Sequence, residues 1–447
     1  MVNFHVLCLC LVSLSTAPVR AVSNTSVLLV SFDGFRYDFI HRNESWTPNL
    51  LRLKGRGSSP EHLRNVFPTK TYPNHHSIAT GLYPETHGVL ANSVFEQDFN
   101  SELTYDDPRL WHYDEEIEPI WITNEKETSE GHERTDMRRS GVLMWPGAQH
   151  KYQNKTSTFS IPLNRSVSWE ERVDIMLSWF THPETPINLG VGYFEEPDTQ
   201  SHLYGPSSHQ VNEQIKRVDR TVGYLVEQID KLDLTDKLNV IIVSDHGSHE
   251  AKFEHLIDLG YHVDMSALTW AGCSPILQIQ PHKGREEEVF QNLTQAAAST
   301  NAFQVYRKEE IPEKWNYKRN NRTADLLALA TVGYAFQGRI KHIDEDWKTQ
   351  FYNVTLKPGQ TFGVHGYSNE EPSMRAFFLA WGPLIKEDFN PEPFDNVDIQ
   401  PLISCMLQLP PMPQHLKANG TLANVASMLR NPPSQHCQLR NQEIDTK

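Results

Sequence analysis

The sequence lacks the features that would place it in several classes at once. It has no apolar stretch of the roughly 18 to 20 residues that a membrane span requires. Residues 6–14 form a short run near the start, and residues 326–336, the nearest later candidate, fall well below that length. A polytopic membrane protein is therefore excluded. Basic charge is also lacking: 41 lysines and arginines stand against 56 aspartates and glutamates, for a net charge of −15. Without a basic stripe the chain is unsuited to neutralising the phosphates of a nucleic-acid duplex. There is no repeat of fixed period and no low-complexity block. Cysteine is scarce, with five residues. What is present, 38% hydrophobic residues with 10 Trp, 15 Tyr and 20 Phe, can bury a large core in an ordinary folded globule.

The opening residues, MVNFHVLCLCLVSLSTAPVRA, put the short apolar run ahead of small residues, and Val19 and Ala21 suit positions −3 and −1 of a cleavage site. Residues 1–21 read as a secretory signal peptide, which makes the rest secreted and extracellular. Glycosylation sequons at Asn24, Asn43, Asn154, Asn164, Asn292, Asn321, Asn353 and Asn419 agree with that compartment. Loss of Cys8 and Cys10 with the leader leaves Cys273, Cys405 and Cys437, an odd number where disulfides form. The preferred pair is Cys405 with Cys437, with Cys273 free or paired between chains. The polar C-terminus, SQHCQLRNQEIDTK, is neither a membrane span nor a lipid-attachment tail. Prolines around 410–413 and 432–433 suggest a loosely packed end, so the expected layout is one domain over 24–410 and a short proline-rich tail over 411–447.

Short apolar, β-rich runs appear at 27–32 (VLLVSF), 187–194 (INLGVGYF), 240–244 (VIIVS) and 376–381 (AFFLAW), and nearly continuous hydrophobic runs of this kind are how buried parallel strands read. Helical patterns lie between them. From about 208 to 232, Val211, Ile215, Val218, Val222, Leu225, Ile229 and Leu232 recur at spacings of four and three, a stripe that faces a core. Another helix begins near Ser168, whose spacing to Glu171 fits a capping box. Strands alternating with helices predict an α/β fold, a doubly wound and mostly parallel sheet flanked by helices.

Three of those runs end in chemistry-bearing residues. VLLVSF runs into Asp33, GVGYF leads to Asp198, and VIIVS runs into Asp245 and His246. Open α/β sheets bind ligands at the carboxyl ends of their strands, so residues far apart in the chain are expected to converge there. Asp198 and His202 are one helical turn apart, and His365 lies in the glycine-flanked loop TFGVHGY. Carboxylates and imidazoles in one extracellular cluster suit zinc, and two clusters suit a two-metal site. The segment 65–92, NVFPTKTYPNHHSIATGLYPETHGVLAN, adds a nucleophile candidate. Thr71 is placed to open a helix that ends at Gly81, where free backbone amides favour an anion, and coordination to a metal favours its alkoxide.

SFDGFR, TPNL, PTKTYPNH, TGLYPETHG, MWPG, EEPD, SDHG, HGY and NVDI, in this order, resemble the nucleotide pyrophosphatase/phosphodiesterase family of the alkaline-phosphatase superfamily, in its short form that is only a catalytic domain. The resemblance implies one zinc on Asp198, His202 and His365, a second on Asp33, Asp245 and His246, and Thr71 beside them as nucleophile in a phospho-threonine mechanism. Asn92 matches the residue that donates to a non-bridging phosphate oxygen. The implied substrate is a nucleotide or dinucleotide, with Tyr72 stacking on the base, Phe159 as second stacking partner and Lys70 as a cation near the phosphates. The departures are Ser248 in place of the usual Met, altered wording over 249–263, and Ser93 where some nucleotide-preferring members have lysine. A choline-specific phosphodiesterase and a non-catalytic binding protein on the same scaffold are the alternatives.

Overall fold

The computed structural model of the chain describes residues 25–96, 98–126, 138–337, 357–409, 416 and 418–430. The expected signal peptide, Asn24, Asn353 and Cys437 lie outside the described residues.

The apolar runs form strands, as expected. Three of the four, β1 (Ser26–Phe32), β4 (Leu189–Phe194) and β5 (Leu238–Val243), run parallel together with two strands not expected, β2 (Ser140–Leu143) and β3 (Phe159–Ile161), with β1 bonded to β4 on one side and β5 on the other. The chain then makes β6 (His249–Lys252) and a separate antiparallel sheet of β7 (Leu268–Ala271), β8 (Ile276–Pro281), β9 (Phe303–Arg307) and β10 (Leu326–Ala330), in the order β7-β8-β10-β9. It returns through β11 (Thr361–Val364), antiparallel to β6, and closes the first sheet with β12 (Phe378–Trp381), antiparallel to β5. The large sheet reads β12-β5-β1-β4-β2-β3.

Helices cover both faces of that sheet. In β1, Ser31 bonds His75 of α1 (Thr71–Thr80), while the next residue, Phe32, packs its ring on Trp169 of α2 (Trp169–Phe180). Successive strand residues point to opposite faces, so α1 and α2 lie on opposite sides. Ser168 caps α2 by accepting from the Glu171 N–H. A short helix, α3 (Asp198–Tyr204), leads into α4 (His209–Lys231), which Ser208 caps. Six of the seven stripe residues of α4 are buried; Leu232 is the exception, exposed just past the last turn. The last two helices used here are α5 (Glu286–Thr300), packed on β9, and α6 (Ile399–Met406), packed on α1.

Two expectations change. The antiparallel sheet has its own core cluster, including Leu277, Ile279, Leu293 and Phe303. The stretch 326–336 is strand β10 and its continuation, and no described helix is long and apolar enough to cross a membrane. The described part of the expected tail is not loose: Leu422, Val425, Met428 and Leu429 are buried in the main core, and the Thr421 N–H donates to Asp398 at 2.7 Å. Proline marks where helix and strand stop, and here the chain after it still packs.

Candidate metal centre

β5, β1 and β4 are neighbours and parallel, so their carboxyl ends deliver Asp245, Asp33 and the Asp198 loop to one place. The Asp198 N–H donates to the Asp33 carbonyl at 3.0 Å. Gly34, between the two loops, has φ of 68°, and a Cβ there would stand 2.8 Å from Asp198 Cβ, so both conformation and space demand glycine. The β6–β11 pairing supplies the remaining imidazole. Its register sets Val364 opposite His249, which brings His365 beside the Asp245–Ser248 segment. Helix α3 seats on β11 because Gly363 has no side chain: a Cβ would come 2.3 Å from Ser201 Oγ.

The ligand atoms converge accordingly. His202 Nε2 lies 3.3 Å from Asp198 Oδ2 and 3.0 Å from His365 Nε2, and His365 Nε2 lies 3.7 Å from Asp198 Oδ1. His246 Nε2 lies 3.0 Å from Asp245 Oδ2 and 3.4 Å from Asp33 Oδ1. Ligand atoms of Asp33, Asp245 and His246 all fall within 4.8 Å of one another, as do those of Asp198, His246 and His365. His246 therefore stands between the two groups, its ring stacked on His365 at 3.5 Å.

Protons are arranged for metal binding. The Nδ1 atoms of His202, His246 and His365 face the carbonyls of Gly363, Gly247 and Thr69 at 2.8 to 2.9 Å. A carbonyl only accepts, so each ring carries its proton on Nδ1 and turns a bare Nε2 lone pair inward. Each aspartate likewise has one oxygen left over. Asp33 Oδ2 accepts from the Tyr193 hydroxyl at 2.6 Å, and Asp245 Oδ1 accepts from the N–H groups of Gly34 and His246 at 3.0 Å each. Asp33 Oδ1, Asp198 Oδ1 and Asp245 Oδ2 are buried with no hydrogen-bond donor. Three lone imidazole nitrogens and three orphaned carboxylate oxygens are a donor set that fits divalent cations preferring nitrogen and oxygen.

Electrostatics point the same way. Burial, then the charges of Asp245 and Asp198, push the Asp33 carboxyl well above its ordinary range. Burial also raises Asp245, but His246 and His75 outweigh it and hold that carboxyl at about 2. Burial, with His246, Lys70 and His202 nearby, keeps His365 neutral. Burial opposes charge on His246, but the neighbouring Asp245 and Asp198 carboxylates outweigh it and raise that imidazole, so the clustered carboxylates draw positive charge into the site.

Thr71 is the first residue of α1, and its Oγ1 lies 3.3 Å from His246 Nε2. Gly81, with φ of 72°, ends the helix as expected. The free amides at its start are fewer than expected, because residue 73 is proline and the Tyr72 N–H donates to Asn92 Oδ1 at 3.0 Å. That bond settles the orientation of Asn92: its oxygen is taken, and its NH2 group is left to donate. Tyr72 packs against Tyr105 and Trp111, with ring centroids 5.4 and 5.3 Å away.

Of the expected substrate residues, Phe159 sits elsewhere and Lys70 lies beside the site with its amine engaged. Phe159 starts β3 and stacks on Trp179 at 5.5 Å, nearly parallel, beside His182. Trp179 ends α2, next to the amino end of the sheet, so Phe159 lies at the end opposite Asp33 and cannot face Tyr72 across a base. Hydrophobic packing on α2 decides its place. Lys70 is buried, and its Nζ donates to the Ser274 carbonyl at 2.6 Å. It ties the start of α1 to the β7–β8 connection. Of the departures, Ser248 is buried and accepts from Ser201 Oγ at 2.7 Å, and Ser93 donates to Glu102 at 2.5 Å. Cys273 is a free thiol and Cys405 is not. Of the sequons, Asn43, Asn154, Asn164 and Asn321 are exposed, and Asn292 and Asn419 half-buried. Tyr193 and His75 were not foreseen; a tyrosine inside an apolar strand and a histidine inside a helix both read as core.

The profile described as "Type I phosphodiesterase / nucleotide pyrophosphatase" matches residues 27–368. Human ectonucleotide pyrophosphatase/phosphodiesterase family member 5 is 37% identical over 424 residues, covering 94% of this chain and 81% of its own. A bis(5'-adenosyl)-triphosphatase of Xenopus laevis is 35% identical over 411 residues, covering 92% and 82%. Among solved structures, human ectonucleotide pyrophosphatase/phosphodiesterase 5 superposes with a TM-score of 0.78 at 36% identity, over 91% of this chain and all of that one. The murine protein, as an inactive threonine-to-alanine variant in complex with AMP, gives 0.77 at 35% identity with the same coverage.

Proposed function

Because the chain belongs to the type I phosphodiesterase/nucleotide pyrophosphatase family and is a hydrolase, we propose that it is a secreted two-zinc enzyme that cleaves extracellular nucleotides or dinucleotides to nucleoside 5'-monophosphates. The observation that carries this reading is the Thr71 hydroxyl 3.3 Å from His246, at the edge of three orphaned carboxylate oxygens and three inward Nε2 atoms. One zinc would rest on Asp198, His202 and His365 and the other on Asp33, Asp245 and His246; when bound, they would offset charge on the attacking and leaving oxygens.

The residues of the chain do the rest. Thr71 Oγ1 attacks phosphorus as its proton passes through solvent to the departing oxygen, the bond to the leaving group breaks, and the nucleoside phosphate is left esterified to Thr71 as the phospho-threonine intermediate. Water then splits that ester, releasing the monophosphate and restoring the hydroxyl. Asn92, with its oxygen held by the Tyr72 N–H, directs its NH2 group at a phosphate oxygen, strongest where charge develops. Tyr72, braced by Tyr105 and Trp111, offers a ring face to the base. The inactive threonine-to-alanine relative bound to AMP supports both the nucleophile and the product, and the triphosphatase name of another relative supports a dinucleotide substrate. We also propose a mature domain over 24–410 followed by a short tail over 411–447, of which Leu422 and Met428 pack in the main core, a Cys405–Cys437 disulfide supported by Cys273 being the free thiol, and glycans on the exposed sequons.

The test is hydrolysis of p-nitrophenyl thymidine 5'-monophosphate beside p-nitrophenyl phosphorylcholine, each with and without EDTA. Chelator-sensitive cleavage of the thymidine diester is expected. Cleavage of the choline ester alone would overturn the substrate, and inertness toward both would overturn the enzyme reading.

A further inference from the structure

His75 lies one turn after Thr71 on α1 and is completely buried. Its Nδ1 stands 2.8 Å from the Thr71 carbonyl and 3.4 Å from Asp245 Oδ2, and its Nε2 stands 2.9 Å from Ser31 Oγ. The carbonyl has no proton to give, so Nδ1 carries the hydrogen, and Nε2 is bonded to the serine hydroxyl. One ring thus touches three pieces of the site: the backbone of Thr71, the carboxylate of Asp245, and β1 two residues before Asp33. Trp145 and Tyr193 hold it edge-on, with centroids 4.8 and 5.2 Å away.

We propose that His75 is a positioning residue: its Nδ1–H is bonded to the Thr71 carbonyl and stands 3.4 Å from the Asp245 carboxylate, so that one fixed ring spaces nucleophile and metal ligand before substrate arrives. The inference rests on the metal reading above. Partners that orient metal ligands typically affect metal affinity or activity by about 10- to 100-fold, and that is the size of effect expected from removing this donor.

Three variants separate positioning from packing. In His75→Asn the amide nitrogen takes the place of Nδ1 and keeps a donor; His75→Leu keeps bulk without a donor; His75→Ala has neither. Each is measured for zinc affinity by chelator competition, for kcat and KM on p-nitrophenyl thymidine 5'-monophosphate, and for Tm. If the donor matters, Asn retains zinc affinity and kcat within a fewfold of the parent, while Leu and Ala lose about 10-fold or more in both, with KM little changed. If the ring only fills space, Leu performs as well as or better than Asn, and that order overturns the proposal. Should Leu fail to fold, Asn against Ala decides, since both leave a cavity and only one donates; equal losses overturn the proposal. A parent enzyme that neither binds zinc nor turns over would refute the metal reading itself, a result distinct from any ranking of the variants.

Discussion

The end of the molecule that would hold metal and the flank that would hold a nucleobase are built differently. Around the candidate metal centre four of the six ligand residues have an outward atom tied to backbone, three Nδ1 atoms on carbonyls and the Asp245 carboxylate on two N–H groups, and Asp33 is held by the Tyr193 hydroxyl. The flank at Tyr72 is made of side chains from loops and short helices, Tyr105 and Trp111, that hold one another by ring contact. The first region is dictated by topology, since parallel neighbours must end side by side. The second depends on how individual loops pack, and long-range packing of the same kind puts Phe159 on Trp179 and not beside Tyr72.

Four substitutions sharpen this contrast. Thr71→Ala should reduce turnover by at least about a thousandfold while zinc content stays near that of the parent; turnover near the parent level would remove Thr71 from its role. Asn92→Ala should lower kcat by about 10²- to 10³-fold, as loss of an oxyanion donor does, and a change confined to KM would show that it contacts only bound substrate. Tyr72→Ala should raise KM for nucleotides by about two- to tenfold. Its kcat should survive, because the backbone N–H that orients Asn92 remains; an unchanged KM would eliminate base stacking. Phe159→Ala should leave both constants alone and lower stability by about 1 to 3 kcal/mol, read as a fall in Tm. A raised KM would return Phe159 to the substrate site.

Much of the metal centre was legible. Asp33 and Asp245 follow apolar runs that form strands where expected, and Asp198 and His202 share a helical turn. His365 was harder, because its place depends on the β6–β11 register, which no local pattern announces. The antiparallel sheet went unread because three of its four strands, LTWA, ILQIQP and FQVYR, mix polar with apolar residues. Tyr193 and His75 stayed hidden because their burial looks like core until partners from other strands are known. The packed segment 418–430 was masked by the prolines before it. Residues whose partners are distant in sequence carry little local signal, and most of the substrate flank is of that kind.

Anomalous diffraction at the zinc edge from crystals of the purified protein tests the central claim most directly. Two peaks are expected, one bounded by Asp198, His202 and His365 and the other by Asp33, Asp245 and His246, with Thr71 Oγ1 beside them. A single peak, or zinc bound away from the carboxyl ends of β1, β4 and β5, would contradict the account.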